Sequence, residues 1–367
     1  MPARHGVARV PLAWEDSRMV ASHAARRRRT PDLAELSDDE LLALRMKDLG
    51  VGIEGSWLEQ TLRDLNDELK ARKLLVRAHG WLSDEWFSPH TTPGIAFPFY
   101  LGHPRLIRLE RKMVLDVEGG TLRECMRILR HEAGHVVQRA YALHRRKRWQ
   151  ALFGRSSKPY PEHYRPNPTS RDYVQHLRRW YAQCHPDEDF AETFAVWLTP
   201  NSRWRARYAE WPALEKLLYV DEVMAEIAGE KPVLTKRFEV DPISQQNITL
   251  GAHYQRKLER YAVDAPTIFD RELRRIFSDS ERHKSAPLAT AFVRRNRKEI
   301  RGAVSKWTGE YQMTLDAALD DIIDRCRILK LHAPFSERQM RLELTSLLTT
   351  KAVHSLYSSS RRQIFAV

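Results

Sequence analysis

The sequence predicts an α+β fold with helical segments at both ends, and three observations support it. Leu58, Leu62, Leu65 and Leu69 recur at the spacing of an amphipathic helix. Residues 81–117 lose that period: 89–104 are rich in Pro, Gly and aromatics, and 105–117 alternate apolar with charged residues in places, as half-buried strands do. From about residue 251 helical periodicity returns in successive pieces.

Composition bounds the rest. At 367 residues with 42% hydrophobic content the chain can furnish a sizeable core. The expected organisation is a basic arm over 1–32, a helical segment over 33–80, a mixed domain over 81–232 and a helical domain over 233–367. The formal net charge of +13 favours acidic partners such as nucleic acid or anionic lipid. A solvated basic surface explains the charge as well, so nucleic acid is an available partner and not a favoured one. No apolar run approaches the roughly 20 residues that span a bilayer. Val7 to Trp14 is broken by Arg9 and Pro11, so no signal-peptide core is read and a cytoplasmic address is expected. Cys125, Cys184 and Cys326 are few and far apart, which argues for reduced thiols instead of a disulfide framework.

Taken in order, Arg26 to Arg29 mark the arm as basic and free of apolar period. Ser37 with Glu40 forms a capping box that opens a first helix, and Ser56 with Glu59 opens a second over 57 to about 73. Leu106, Ile107 and Leu109, then Met113, Val114, Leu115 and Val117, read as one or two strands. An edge there is where a substrate backbone would pair. Thr121 and Glu124 follow Gly119 and Gly120 as another capping box, starting a helix from 121 to about 143. The connector over 145–173 holds Pro159, Pro161, Pro166 and Pro168, which exclude a continuous helix; loops of this length often line a cleft. Residues 172–183 return to a helical pattern. A further helix is expected over 213–228, then helices over about 251–278, 286–308, 310–331 and 336–356. In the helix over 310–331, Leu315, Leu319, Ile322, Ile323 and Cys326 form the stripe, with Asp316, Asp320, Asp321 and Asp324 outside it.

The chemistry concentrates in HEAGH, His131 to His135. Histidines four apart on a helix share a face and can share one metal ion. Glu132 lies about 100° round from His131, beside such a metal and not on it, where it can take a proton from metal-activated water. Gly134 in the helix interior costs about 1 kcal/mol relative to alanine, which implies a neighbour too close for a methyl group. A catalytic zinc usually takes three protein ligands and a water, so a third ligand is required. Candidates cluster in HPDEDFAETF, 185–194. Pro186 suits a first helical turn, and Phe190, Phe194 and Leu198 make a buried stripe, which puts Glu188 and Glu192 together on another face. Glu188 is assigned as third ligand and Glu192 as the acceptor that orients a ligand histidine through its free N–H. His185 is the next candidate, and a solvated acidic face that complements the helix dipole is the alternative for both glutamates. A metzincin would carry a third histidine where this chain has Tyr141 and a glycine where it has Gln138, which excludes that class.

At HEAGH and EDFAETF the chain resembles the gluzincin peptidases, most closely bacterial proteins described as "putative zinc-binding metallopeptidases". The pattern is distantly similar to anthrax lethal factor and the Pro-Pro endopeptidases. The resemblance spans about residues 95–230 and implies a zincin-like catalytic domain with Zn2+ on His131, His135 and Glu188 and with Glu132 as general base. It also implies Tyr181, seven residues before Glu188, as donor to the tetrahedral oxyanion. Packing beside Trp180 is the other reading of Tyr181, and His163, Tyr164 and Arg171 are its alternatives as donor. The expected function is a zinc metallopeptidase, an endopeptidase, acting on peptide or protein substrates, with the C-terminal helices available to a protein partner. A zinc-stabilised binding module without catalysis and a DNA-associated protease are the alternatives. An intact Glu132 favours the enzyme, because a structural site needs no base and usually completes four protein ligands.

Overall fold

A computed structural model of the chain describes residues 31–357, except 162, 163, 165, 264–267 and 269. The expected basic arm lies outside the described residues but for its last two positions. The described elements are mostly helical, with one small parallel sheet, an α+β architecture in which helices dominate.

Ser37 closes the expected capping box with Glu40 and opens α1 (Asp38–Ala43). In α2 (Trp57–Ala71) the expected leucines Leu58, Leu65 and Leu69 are fully buried. The cap there differs from a reciprocal box: Ser56 accepts from Leu58 N, whereas Glu59 accepts from Gly55 N at 2.9 Å.

The strands are β1 (His79–Ser83) and β2 (Gly94–Pro98), paired in parallel with His79 opposite Gly94. His79, Trp81 and Ser83 share one face of β1. Their side chains bond the backbone carbonyls of Phe238, Val240 and Asp241 at 3.1, 2.8 and 2.7 Å. The segment after residue 233 is thereby laid across the central unit, and Val233 N also donates to Ala140 O at 2.8 Å.

Residues 105–117, expected as strands and as an edge for substrate, form no strand; most of them belong to a helix, α3 (Pro104–Val114). The His103 side chain caps it by accepting from Arg105 N, Pro104 occupies the first turn, and Leu106, Leu109 and Val114 are buried at helical spacing. The local alternation at 105–109 is what an amphipathic helix also shows over one turn. Leu115, with φ 65°, ends α3 in the left-handed conformation.

The centre of the molecule is α4 (Leu122–Ala140), capped by Thr121 as expected, and packed against α6 (Pro186–Leu198). A Cβ on Gly134 would stand 2.7 Å from Ala191 Cα and 3.0 Å from its carbonyl oxygen, so the two backbones cross too closely for a side chain at 134. α5 (Lys147–Phe153) contributes Trp149 and Phe153 against Phe190 of α6. Short α7 (Trp204–Arg207) leads to α8 (Ala213–Glu226), which packs on α6 and also meets α5 through Phe153 and Tyr219.

The helical pattern read over 172–183 is overturned. Residues 178–183 form only a 3-10 turn, in which Arg179 (φ 64°) and Trp180 (φ 53°) are left-handed. Two adjacent side-chain-bearing residues there cannot belong to an α-helix.

The C-terminal elements are α9 (Leu250–Val263), α10 (Asp270–Ile276), α11 (Ala289–Thr308), α12 (Gln312–Ile328) and α13 (Glu337–Tyr357); the last three match expected helices, whereas the single helix expected over 251–278 is two, α9 and α10. Two hydrophobic cores result. One runs from Leu33 to Tyr261 and includes α4 and α6; the other runs from Leu273 to Ala352, with α11, α12 and α13 packed together. No helix among the described residues is long and apolar enough to cross a membrane.

Candidate metal centre

The face of α4 that meets α6 carries His131 and His135, both buried, and the facing side of α6 carries Glu188, also buried. His131 Nε2 lies 3.0 Å and His135 Nε2 3.2 Å from the same oxygen, Glu188 Oε2, and the two nitrogens are 3.2 Å apart. Three ligand atoms thus form a nearly equilateral triangle. A tetrahedral zinc with bonds of about 2.0 Å needs ligand atoms about 3.3 Å apart, so these residues fit that ion closely. Among the described residues this is the one group of three or more His, Cys, Asp or Glu that could hold a metal.

Two of the three residues are oriented by a further bond, while His135 Nδ1 is buried with no hydrogen-bond partner among the described residues. His131 Nδ1 is 2.9 Å from Glu192 Oε1, while Glu192 Oε2 accepts from His176 N at 3.2 Å and Leu177 N at 2.8 Å. A carboxylate held by two backbone donors accepts a hydrogen bond from the imidazole Nδ1–H, which leaves the lone pair of Nε2 aimed at the centre. Burial pushes the Glu192 carboxyl up, but the bond to His131 and the other donors more than offset this and hold it below its ordinary value. Glu188 follows the same pattern more strongly, its burial overcome by His135 and His131. Its second oxygen, Oε1, accepts from Tyr160 OH at 2.7 Å.

Glu132 is 4% exposed and lines the same cleft, of about 450 Å³, as His131, His135, Glu188, Tyr160 and Tyr181. Burial raises its carboxyl, opposed by the neighbouring imidazoles. A carboxyl shifted toward neutrality suits both accepting and releasing a proton. The Tyr181 ring stands 5.6 Å from that of His131, tilted by 49°, and burial raises its phenol well above the ordinary value, so it is a donor at neutral pH. Segments 87–91 and 240–241 complete the cleft wall.

His185 is not in the cluster. It caps α6 by accepting from Asp187 N, its Nε2 is 2.6 Å from Lys158 O, and its ring stacks on Tyr160 at 3.9 Å. Tyr141 accepts from Leu75 N and Val76 N, remote from the triangle. Of the alternative donors, Tyr164 donates to Arg179 O, Arg171 stacks over Trp211, and His163 lies outside the described residues.

Two features escaped the sequence reading. Tyr160 sits between Pro159 and Pro161, an aromatic pinned in the proline-rich connector, and that setting was its only signal. The other is a buried polar strut: Gln138 Nε2 donates to Asp187 Oδ1 at 2.7 Å, and Arg139, 3.7 Å from Asp187 Oδ2, donates to Ser88 O at 2.6 Å. It ties the cleft wall to both helices.

Every one of these site residues except the wall segments falls within a single stretch of sequence. Residues 112–208 match the family model described as "Putative zinc-binding metallo-peptidase". The matched stretch runs from the end of α3 to the residue after α7 and holds both motifs and the intervening connector. No curated protein and no solved structure matches the chain.

Proposed function

We propose that the chain is a zinc-dependent peptidase of the gluzincin type, an endopeptidase with a zincin-like central domain. In this reading His131, His135 and Glu188 hold the metal and Glu132 is the general base. The observation that carries it is the triangle of His131 Nε2, His135 Nε2 and Glu188 Oε2, with edges of 3.0 to 3.2 Å, in a cleft that also holds a buried free-standing base position at Glu132. When bound, zinc supplies a Lewis acid that brings water into the neutral pKa range and polarises a carbonyl.

The protein groups then divide the work. The Glu132 carboxylate takes a proton from the attacking water and delivers it to the leaving amide nitrogen. The Tyr181 hydroxyl donates to the oxygen that becomes negative as the carbonyl is attacked. Tyr160 and Glu192 do not meet the substrate in this scheme; they hold Glu188 and His131 in register. Glu132 also speaks against a purely structural zinc site, which would gain nothing from a buried carboxylate beside its ligands.

The test is zinc content and cleavage of a broad peptide library by wild type beside Glu132→Gln. We expect both proteins to hold zinc and only the wild type to cleave. Near wild-type cleavage by Glu132→Gln would remove the proposed base. A zinc-loaded wild type that cleaves nothing would replace the peptidase reading by a non-catalytic binding module.

A further inference from the structure

The face of α4 that carries the two histidines carries an arginine one turn to either side: Arg127, His131, His135 and Arg139 stand at successive four-residue steps. The two arginines differ in what they meet. Arg139 is committed to Ser88 O, to His90 Nε2 at 3.1 Å and to Asp187. Arg127 is half-buried, its Nε is out of solvent with no hydrogen-bond partner, and no hydrogen bond or ion pair to its guanidinium occurs among the described residues. A guanidinium so placed is costly unless something else pairs with it.

Arg127 lines a cavity of about 140 Å³, far above the roughly 10–15 Å³ that one water requires. Tyr181 lines both this cavity and the metal cleft, so the two are neighbours across one ring. Gly309 and Tyr311, in the link between α11 and α12, also line the cavity, and Tyr311 packs against the first core. The left-handed Arg179 lines the cavity beside Tyr181 and stacks over Tyr311 at 5.4 Å. Backbone held in that region by neighbouring packing is a feature of binding sites.

Two of the three carboxylates around the cavity are engaged elsewhere. Asp116 accepts from Gln312 N at 2.8 Å and from Gln312 Nε2, and Glu124 accepts from the Thr121 hydroxyl and stands 3.9 Å from Arg178. Glu118 lines both this cavity and an adjoining hollow that Lys257, paired with Glu110, also lines. The cation without a partner is therefore Arg127.

We propose that the cavity between Tyr181 and Tyr311 is a substrate subsite in which Arg127 binds a carboxylate of the peptide. The inference rests on the peptidase reading of the neighbouring metal centre, and it gives the C-terminal helices a part in substrate recognition. Two sources share this chemistry, an acidic side chain and the free C-terminus of the peptide; guanidinium pairs with either in the same planar, two-pronged way.

The probe is a set of hexapeptide pools with one fixed Glu or one fixed Gln, each as free acid and as C-terminal amide. Binding is measured by calorimetry on zinc-loaded Glu132→Gln protein, with and without Arg127→Gln or Arg127→Lys. We expect a preference of about tenfold or more for the carboxylate-bearing pool, lost with Arg127→Gln and kept in part with Arg127→Lys, as the loss of a charge-assisted bond predicts. A preference that follows Glu assigns the side chain; one that follows the free acid assigns the C-terminus. Equal binding of all pools, no binding, or a preference that survives Arg127→Gln overturns the proposal. If the preference holds while wild type cleaves no pool, it is the peptidase reading that fails and not the subsite.

Discussion

Helices α6 and α12 carry nearly the same acidic spacing, Glu188 and Glu192 in one and Asp316 and Asp320 in the other, yet they put it to opposite uses. All thirteen residues of α6 are buried, including Asp187, Glu188, Asp189 and Glu192. In α12 the apolar stripe is buried, while Asp320 and Asp324 keep side-chain exposures of 60%. The acids of α12, the buried Asp316 among them, meet arginines: Arg297 binds both Asp316 and Asp320, and Arg301 adds to Asp316. The acids of α6 meet partners inside the core. Gln138 donates to Asp187, Lys216 pairs with Asp189 at 2.6 Å, backbone N–H groups hold Glu192, and Glu188 faces two imidazoles. Even so, burial pushes the Asp189 carboxyl up to about 7. Charge is cheap on α12 and expensive on α6, and a core that retains expensive charge does so for a ligand or a reaction.

The contrast is open to direct attack, and the largest effect should come from the helix crossing itself. Gly134→Ala places a methyl group against backbone of Ala191 that cannot swing aside. We expect a loss of about 1–3 kcal/mol in urea unfolding from overpacking, more than the gain of about 1 kcal/mol in helix propensity, together with weaker metal retention. A variant more stable than wild type would mean that the two helices separate freely.

Next come the two tyrosines of the cleft. Tyr181→Phe should lower kcat by about 10²-fold or more with zinc content unchanged, because its hydroxyl is proposed to act only in the transition state. Tyr160→Phe removes a donor to Glu188 and not to substrate, so it should weaken zinc retention by about 10-fold or more. Steady-state kinetics and competition with a chelator separate the two. If the effects exchange places, the roles of the tyrosines exchange with them.

The smallest effect belongs to α12. Asp324 meets Arg327 at 2.7 Å on an open surface, and Asp324→Ala should change stability by no more than about 0.5 kcal/mol in the same unfolding assay. A loss several times larger would place the C-terminal acids in the same class as those of α6.

How much of this could be read from the chain follows from the same physics. HEAGH and the acidic pair of EDFAETF were legible because helical spacing is local: residues four apart share a face whatever surrounds them. Gly134 was legible as a close approach, though not which residue approaches. The absence of basic residues from 186–198, with apolar residues on every side of the acids, separates α6 from α12 in sequence terms. Residues 105–117 misled because Leu106, Ile107 and Leu109 alternate with charge over a stretch too short to distinguish the two periods, while the decisive His103 cap and Pro104 stand just before it. β2 was hard to read for the converse reason: Gly94–Pro98 is buried throughout, so it shows no alternation. Tyr160, Arg127 and the crossing of residues 236–241 over β1 depend on contacts between distant parts of the chain, which no local pattern records.

The central claim, that the triangle on α4 and α6 is a zinc site, is tested most directly by elemental analysis of purified protein. We expect one zinc per chain in the wild type and its loss in His131→Ala and Glu188→Ala, while Asp316→Ala on α12 retains full occupancy. Full zinc occupancy in Glu188→Ala, or none in the wild type after loading with zinc, would contradict the account.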